Sequence, residues 1–203
     1  MTDCFALFNE PRRPWLDPEA LKQKFLTFSA QSHPDRVHNA SDAEKGAAQQ
    51  RYAELNAAYN CLREPKERLA HLLELEQGTK PKEIQDIPPA LMDRFLEVSQ
   101  LCRQADGFLA EKGSVTSPLL KVQMFERAQE WSERLAASQR QISSWHESLL
   151  VELRELDARW MGPRDRSAAR ELFLQRLEEL SRLFSYYTRW SGQIQERIVQ
   201  LSF

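Results

Sequence analysis
Prolines punctuate this chain, and between them the apolar residues recur at helical spacing. A helix cannot continue through a proline, and the residue before one is pushed out of the helical region. Pro11, Pro34, Pro65, the group Pro81, Pro88 and Pro89, and Pro163 therefore mark where helices must stop. Pro18 and Pro118 instead follow Asp17 and Ser117, the position where proline opens a helix. With only 6 glycines in 203 residues and a charged fraction of 29%, hairpin turns are scarce and helix formers abundant. The chain is expected to be all-α.

Within the first 76 residues three helices are expected. A short one covers Phe5 to Asn9. A second starts at the Asp17 cap, carries Leu21, Phe25 and Phe28 at i, i+4 and i+7, and ends before Pro34. The third opens at the capping box Ser41-x-x-Glu44, runs through Ala48, Tyr52, Leu55, Tyr59 and Leu62, and is closed by Pro65. The last two form an antiparallel hairpin with residues 32 to 40 at its tip. Residues 77–90, with three prolines among polar neighbours, read as a semi-rigid linker. Residues 91–203 hold three amphipathic helices, a small bundle. The first carries Leu91, Phe95, Val98, Cys102 and Leu109 and ends near Gly113. The second, from Ser117-Pro118 to Gly162-Pro163, is long for a globular helix, so it either breaks near Ser143-Ser144 or projects as an arm.

Charge excludes more than it proposes. Net charge is −2, with 10 Lys and Arg against 12 Asp and Glu over residues 1–76 and 18 of each sign beyond, so no basic face for nucleic acid or anionic membrane is expected. No apolar run is long enough to span a membrane, and the first residues lack a signal-peptide pattern, which reads as cytoplasmic. Cys4, Cys61 and Cys102 are widely spaced with no histidine close in sequence, and His38, His71 and His146 are isolated. The cysteines read as small buried apolar residues, and neither a metal nor a cofactor is expected. No nucleophile-base constellation supports an enzyme.

One tripeptide stands out. His33-Pro34-Asp35 lies in the loop between two amphipathic helices, and with this composition it is expected by chance roughly 0.009 times. Here the chain resembles a J-domain, the module that stimulates DnaK-type chaperone ATPases. Phe5-Ala6-Leu7-Phe8, Leu16-Asp17-Pro18-Glu19-Ala20-Leu21, and Leu55-Asn56-x-Ala58-Tyr59-x-x-Leu62-x-x-Pro65-x-x-Arg68, continued by Leu69-Ala70-His71-Leu72-Leu73, are similar to the HscB type. That resemblance implies a J-domain at residues 1–76, a linker at 77–90 and a helical client-binding domain at 91–203. It implies an ATPase-stimulating co-chaperone, not an enzyme, whose partners are an HscA-like chaperone and an IscU-like iron-sulfur scaffold. His33, Pro34, Asp35, Arg36, Lys22 and Lys24 would meet the chaperone. Leu91, Met92, Phe95, Leu96 and Glu97 would meet the client, with Leu183, Phe184 and Tyr187 as open candidates for a further client contact. Because Leu91 and Phe95 lie about 100° around the helix from Met92 and Leu96, one stripe faces the core and the other is exposed. Departures from the family are Ser32 where an aromatic commonly precedes the motif, a thin basic face on the second helix, and few acidic residues near Leu91. Two alternatives stay open: a general J-protein with another client, and a helical interaction protein whose HPD loop is vestigial.

Overall fold
The computed structural model describes residues 2–32, 41–79, 87–160 and 168–202. Among these there is no strand. The HPD motif, Arg36 and the stop at Gly162-Pro163 lie outside the described residues.

Local signals place the first helices. Asp3 caps α1 (Cys4–Leu7), accepting from the N–H groups of Phe5 and Ala6. Asp17 caps α2 (Pro18–Gln31), accepting from the Ala20 N–H at 2.7 Å, with Pro18 at the first helical position. Ser41 and Glu44 close both halves of a capping box at the start of α3 (Asp42–Arg63). Phe25 stacks on Tyr59 with ring centroids 4.3 Å apart, while Phe28, further along α2, shares a cavity lining with Leu55, earlier in α3. Contacts that advance on one helix and retreat on the other define the antiparallel hairpin.

The sequence expectation of three helices in this region needs one correction. Pro65 closes α3 and also opens α4 (Pro65–Gln77), which ends at Gly78 in the left-handed conformation, φ 74°. Proline at a first helical position lacks only an N–H that the helix does not use. Leu69, Leu72 and Leu73 are fully buried along α4, and α1, α2 and α4 all pack on α3.

A 3-10 turn, Pro89–Leu91, leads into α5 (Met92–Ser114), followed by α6 (Pro118–Ala158) and α7 (Ala168–Leu201). Ser143 and Ser144 lie inside α6, which is continuous. Contacts gather the chain into two compact units made of separated segments. The first is Met1–Lys82 with Val151–Arg182, the second Glu83–Leu150 with Leu183–Phe203. Residues 151–182, expected from the sequence to lie with the client-binding helices, thus gather with the first unit. Both α6 and α7 contribute to both units.

In the first unit a partly buried polar network ties the segments together. Asp157 receives the Arg13 guanidinium, with Nε at 3.0 Å, and the Trp15 N–H at 3.1 Å. Trp160 Nε1 donates to the Arg12 carbonyl at 2.7 Å, and Ser181 Oγ to the Lys66 carbonyl at 3.3 Å. Arg68 is buried and donates to the carbonyls of Pro14 at 2.8 Å and Leu62 at 2.6 Å; burial pushes its guanidinium down to about 10. Arg170 pairs with Glu76 where both side chains are nearly closed to solvent.

In the second unit the helices meet through an apolar core that includes Val98, Cys102, Phe108, Leu135, Ile142, Phe184, Tyr187, Trp190 and Ile194. Arg94 lies over the Trp145 ring at 4.4 Å and donates to the Tyr187 hydroxyl. Four of the five tryptophans, Trp15, Trp131, Trp145 and Trp160, carry an arginine over the ring.

Candidate functional site
Two helix ends bracket the HPD motif. The Ser32 N–H donates to the Phe28 carbonyl at 3.1 Å to finish α2, and the Ser41 capping box fixes where α3 begins. Lys22 is exposed on α2, and Leu26, one turn on, is 49% exposed on the same face. Leu26 was missed from the sequence because it lies off the Leu21, Phe25 and Phe28 stripe, where a lone leucine carries no signal. Lys24 is engaged within the fold: its Nζ pairs with Glu10 at 2.6 Å and donates to the carbonyls of Phe8 and Asn9 at 3.3 Å each, tying α2 to the end of α1. The two lysines expected to act together therefore stand in different situations.

On α5 burial follows helical periodicity. Leu91 is 2% exposed, Val98 and Cys102 are buried, and Phe95 is half-buried against Trp190. Met92 is 41% and Leu96 53% exposed, one turn apart, with Glu97 exposed beside them. Arg94, fixed between Trp145 and Tyr187, anchors the helix from its other side. Leu183, Phe184 and Tyr187 are all buried, so none offers the exposed client contact the sequence left open.

No family model matches the chain. Curated relatives do, among them three HscB homologs. It is 44% identical over 73 residues to a co-chaperone protein HscB homolog of Cupriavidus taiwanensis, covering 36% of this chain and 42% of the relative. It is 45% identical over 71 residues to the Paraburkholderia phymatum homolog, 35% and 41% of the two chains. Over 94 residues it is 36% identical to the Ralstonia nicotianae homolog, 46% and 53%. Among solved structures, chaperone HscB from Vibrio cholerae superposes with a TM-score of 0.57 at 20% identity, covering 96% of both chains. The chain resembles HscB co-chaperones. Human co-chaperone HscB matches at a TM-score of 0.56 and 18% identity, over 98% of this chain and 81% of that one. The aligned stretches span 41 to 53% of the curated HscB relatives, and at 20% and 18% identity the two HscB structures share the fold. That fold is all-α, an N-terminal helical hairpin followed by a helical bundle, as the sequence implied.

Alongside the HscB-like features stands a group the sequence reading dismissed. Cys4 and Cys61 are half-buried and His71 is 8% exposed. The Cys4 N–H donates to His71 Nε2 at 3.0 Å, and a ligand atom from each of the three side chains lies within 4.8 Å of the other two. His71 is thus not isolated, and the cysteines do have a histidine beside them. The reason is α4, absent from the sequence reading, which returns His71 to the start of α1. A hydrogen bond from Cys61, helped by His71, holds the Cys4 thiol well below the ordinary thiol range against the effect of burial. The same bond, with burial, pushes Cys61 up, and the bond to Cys4 pushes His71 up.

Proposed function
We propose that this protein is a J-domain co-chaperone that stimulates an HscA-like, DnaK-type ATPase and delivers to it an IscU-like iron-sulfur scaffold, and that it is itself not an enzyme. The observation that carries the reading is the placing of His33-Pro34-Asp35 between the end of α2 and the capped start of α3, in a chain whose fold matches HscB structures. A co-chaperone works by binding one conformation of its ATPase better than another, so it needs a fixed contact surface rather than a substrate pocket.

In this reading Pro34 restricts the backbone of the motif. Asp35 offers a short carboxylate for a charge-assisted hydrogen bond to a cation of the ATPase, and His33 adds a packing or hydrogen-bonding contact. Arg36 and Lys22 supply docking charge. Lys24, held by Glu10, orients α2 against α1 while adding its charge to the same helix. A thin basic face favours a dedicated chaperone partner over a promiscuous one. Met92, Leu96 and Glu97 contact the client, and Leu91 and Phe95 support them from below. Carrying both contacts on one chain raises the effective concentration of client at the ATPase. The work is done in the cytoplasm, and the family's partners are those of iron-sulfur cluster assembly.

The test is a scaffold-dependent ATPase assay with an HscA-type chaperone, comparing wild type with Asp35→Asn. Stimulation by wild type and its loss in the variant support the proposal. Equal rates from the two proteins overturn the role of the motif. Absence of stimulation by wild type with any DnaK-class ATPase overturns the co-chaperone reading altogether.

A further inference from the structure
We propose that Cys4, Cys61 and His71 form a binding site for one thiophilic divalent metal ion, of zinc type, within the first compact unit. The three come from α1, the end of α3 and the middle of α4, so an ion there would tie three helices together.

Two thiolates and an imidazole are the donor set of borderline-soft ions and a poor match for magnesium or calcium, which prefer oxygen. A tetrahedral zinc ion holds sulfur at about 2.3 Å and nitrogen at about 2.0 Å, so its ligand atoms stand roughly 3.5 Å apart. The ligand atoms here lie within 4.8 Å of one another, and side-chain rotation of about 1 Å closes that gap. Neither sulfur is held strongly elsewhere. Outside the cluster, Cys4 Sγ reaches the Thr2 carbonyl at 4.0 Å, and Cys61 Sγ the Glu67 carbonyl at 3.8 Å.

The histidine is already arranged. Its ring lies parallel to Phe5, with centroids 5.8 Å apart and planes 10° from parallel, and Nε2 faces Cys4. A neutral ring that accepts the Cys4 N–H at Nε2 carries its proton on Nδ1, which is the tautomer an Nε2 metal ligand requires. Metal binding exchanges that hydrogen bond for a coordinate bond and releases the thiol protons to solvent. Asp3, the nearest carboxylate in sequence, is committed to capping α1 and to Arg12, so the protein supplies three ligands and water the fourth.

This inference is independent of the co-chaperone reading, and its test uses the full chain without any chaperone. Reduced, chelator-stripped protein is titrated with Co²⁺ and then with Zn²⁺. Expected are the visible bands of tetrahedral cobalt with thiolate charge transfer, saturating at one ion per chain and erased by zinc. Cys61→Ser should weaken cobalt affinity by at least about tenfold, while Cys102→Ser, in the other unit, should leave the bands unchanged. Octahedral cobalt spectra, or bands insensitive to Cys61→Ser, overturn the site. Zinc protection of Cys4 and Cys61 from alkylation in the wild type gives a measurement that needs no variant. Alkylation at the same rate with and without zinc overturns the proposal, as does a reduced protein that ignores cobalt while mild disulfide reagents couple Cys4 to Cys61.

Discussion

The two compact units face the same difficulty, joining segments far apart in the chain, and they solve it with different chemistry. In the first, residues 151–182 meet residues 1–82 through directed polar links: Asp157 to Arg13 and Trp15, Trp160 to the Arg12 carbonyl, Arg170 to Glu76. In the second, residues 183–203 meet 83–150 through packed rings, Trp190 on Phe95, Tyr187 on Trp145 and Phe184 on His146, with polar links from Arg94 to Tyr187, Gln139 to Ser191 and Arg197 to Asp106 beside them but no buried carboxylate among those links. Burial of rings is non-directional and tolerates small shifts, whereas a buried carboxylate demands particular donors in particular places. The first unit should therefore be sensitive to the loss of single charges and the second to the loss of volume.

That contrast can be broken by experiment. Trp190→Ala, which empties a site 3% exposed beside Phe95, Tyr186 and Tyr187, should cost about 3–5 kcal/mol in urea unfolding. A loss under about 1 kcal/mol would mean that the ring core of the second unit is not what closes it. Asp157→Asn keeps the volume and removes the charge, and should cost about 1.5–3 kcal/mol. A double-mutant cycle with Arg13→Ala should then show positive coupling; additive losses would remove the directed-link account of the first unit. Arg94→Met retains a stem against Trp145 but loses the cation, and a smaller effect of about 0.5–2 kcal/mol is expected. If Arg94→Met proved costlier than Asp157→Asn, the comparison would be reversed.

The smallest effect concerns pH. Burial alone would push the Asp3 carboxyl up, but the Arg12 guanidinium, together with the Ala6 and Phe5 N–H groups, outweighs it and holds the carboxyl below its usual value. A carboxyl with a depressed folded-state pKa stabilises the fold above its unfolded value and loses that contribution as pH falls through the folded one. Wild type and Asp3→Asn should therefore differ in unfolding free energy at neutral pH and converge on acidification below about pH 4. A constant difference over that range would show that the carboxylate charge is not what matters at the α1 cap.

Features encoded within a few residues were legible in the sequence. The Asp17 cap, the Ser41-Glu44 box and the Leu91 and Phe95 stripe are all local, and each sits where spacing puts it. The fourth helix was missed because Pro65 was read only as a stop, although proline is equally at home as a start. What depends on distant partners left no trace. Cys4 and His71 are 67 positions apart and Arg13 and Asp157 are 144, and no periodicity relates them. The HPD motif was readable as three letters, and its flanking helix ends are where the sequence put them.

The division of the first unit into separated segments bears on how the chain is made. Synthesis delivers residues 1–82 long before Asp157, so Arg13 and the Trp15 N–H must wait for a carboxylate 144 and 142 positions downstream of them. During that interval the hairpin can form from its own local contacts, but its anchoring to α6 and α7 is deferred until most of the chain exists. An isolated piece spanning only residues 1–76 would keep the hairpin's own contacts but lack Asp157, Trp160 and Arg170, and with them the links that hold Arg13, the Arg12 carbonyl and Glu76 in the whole chain.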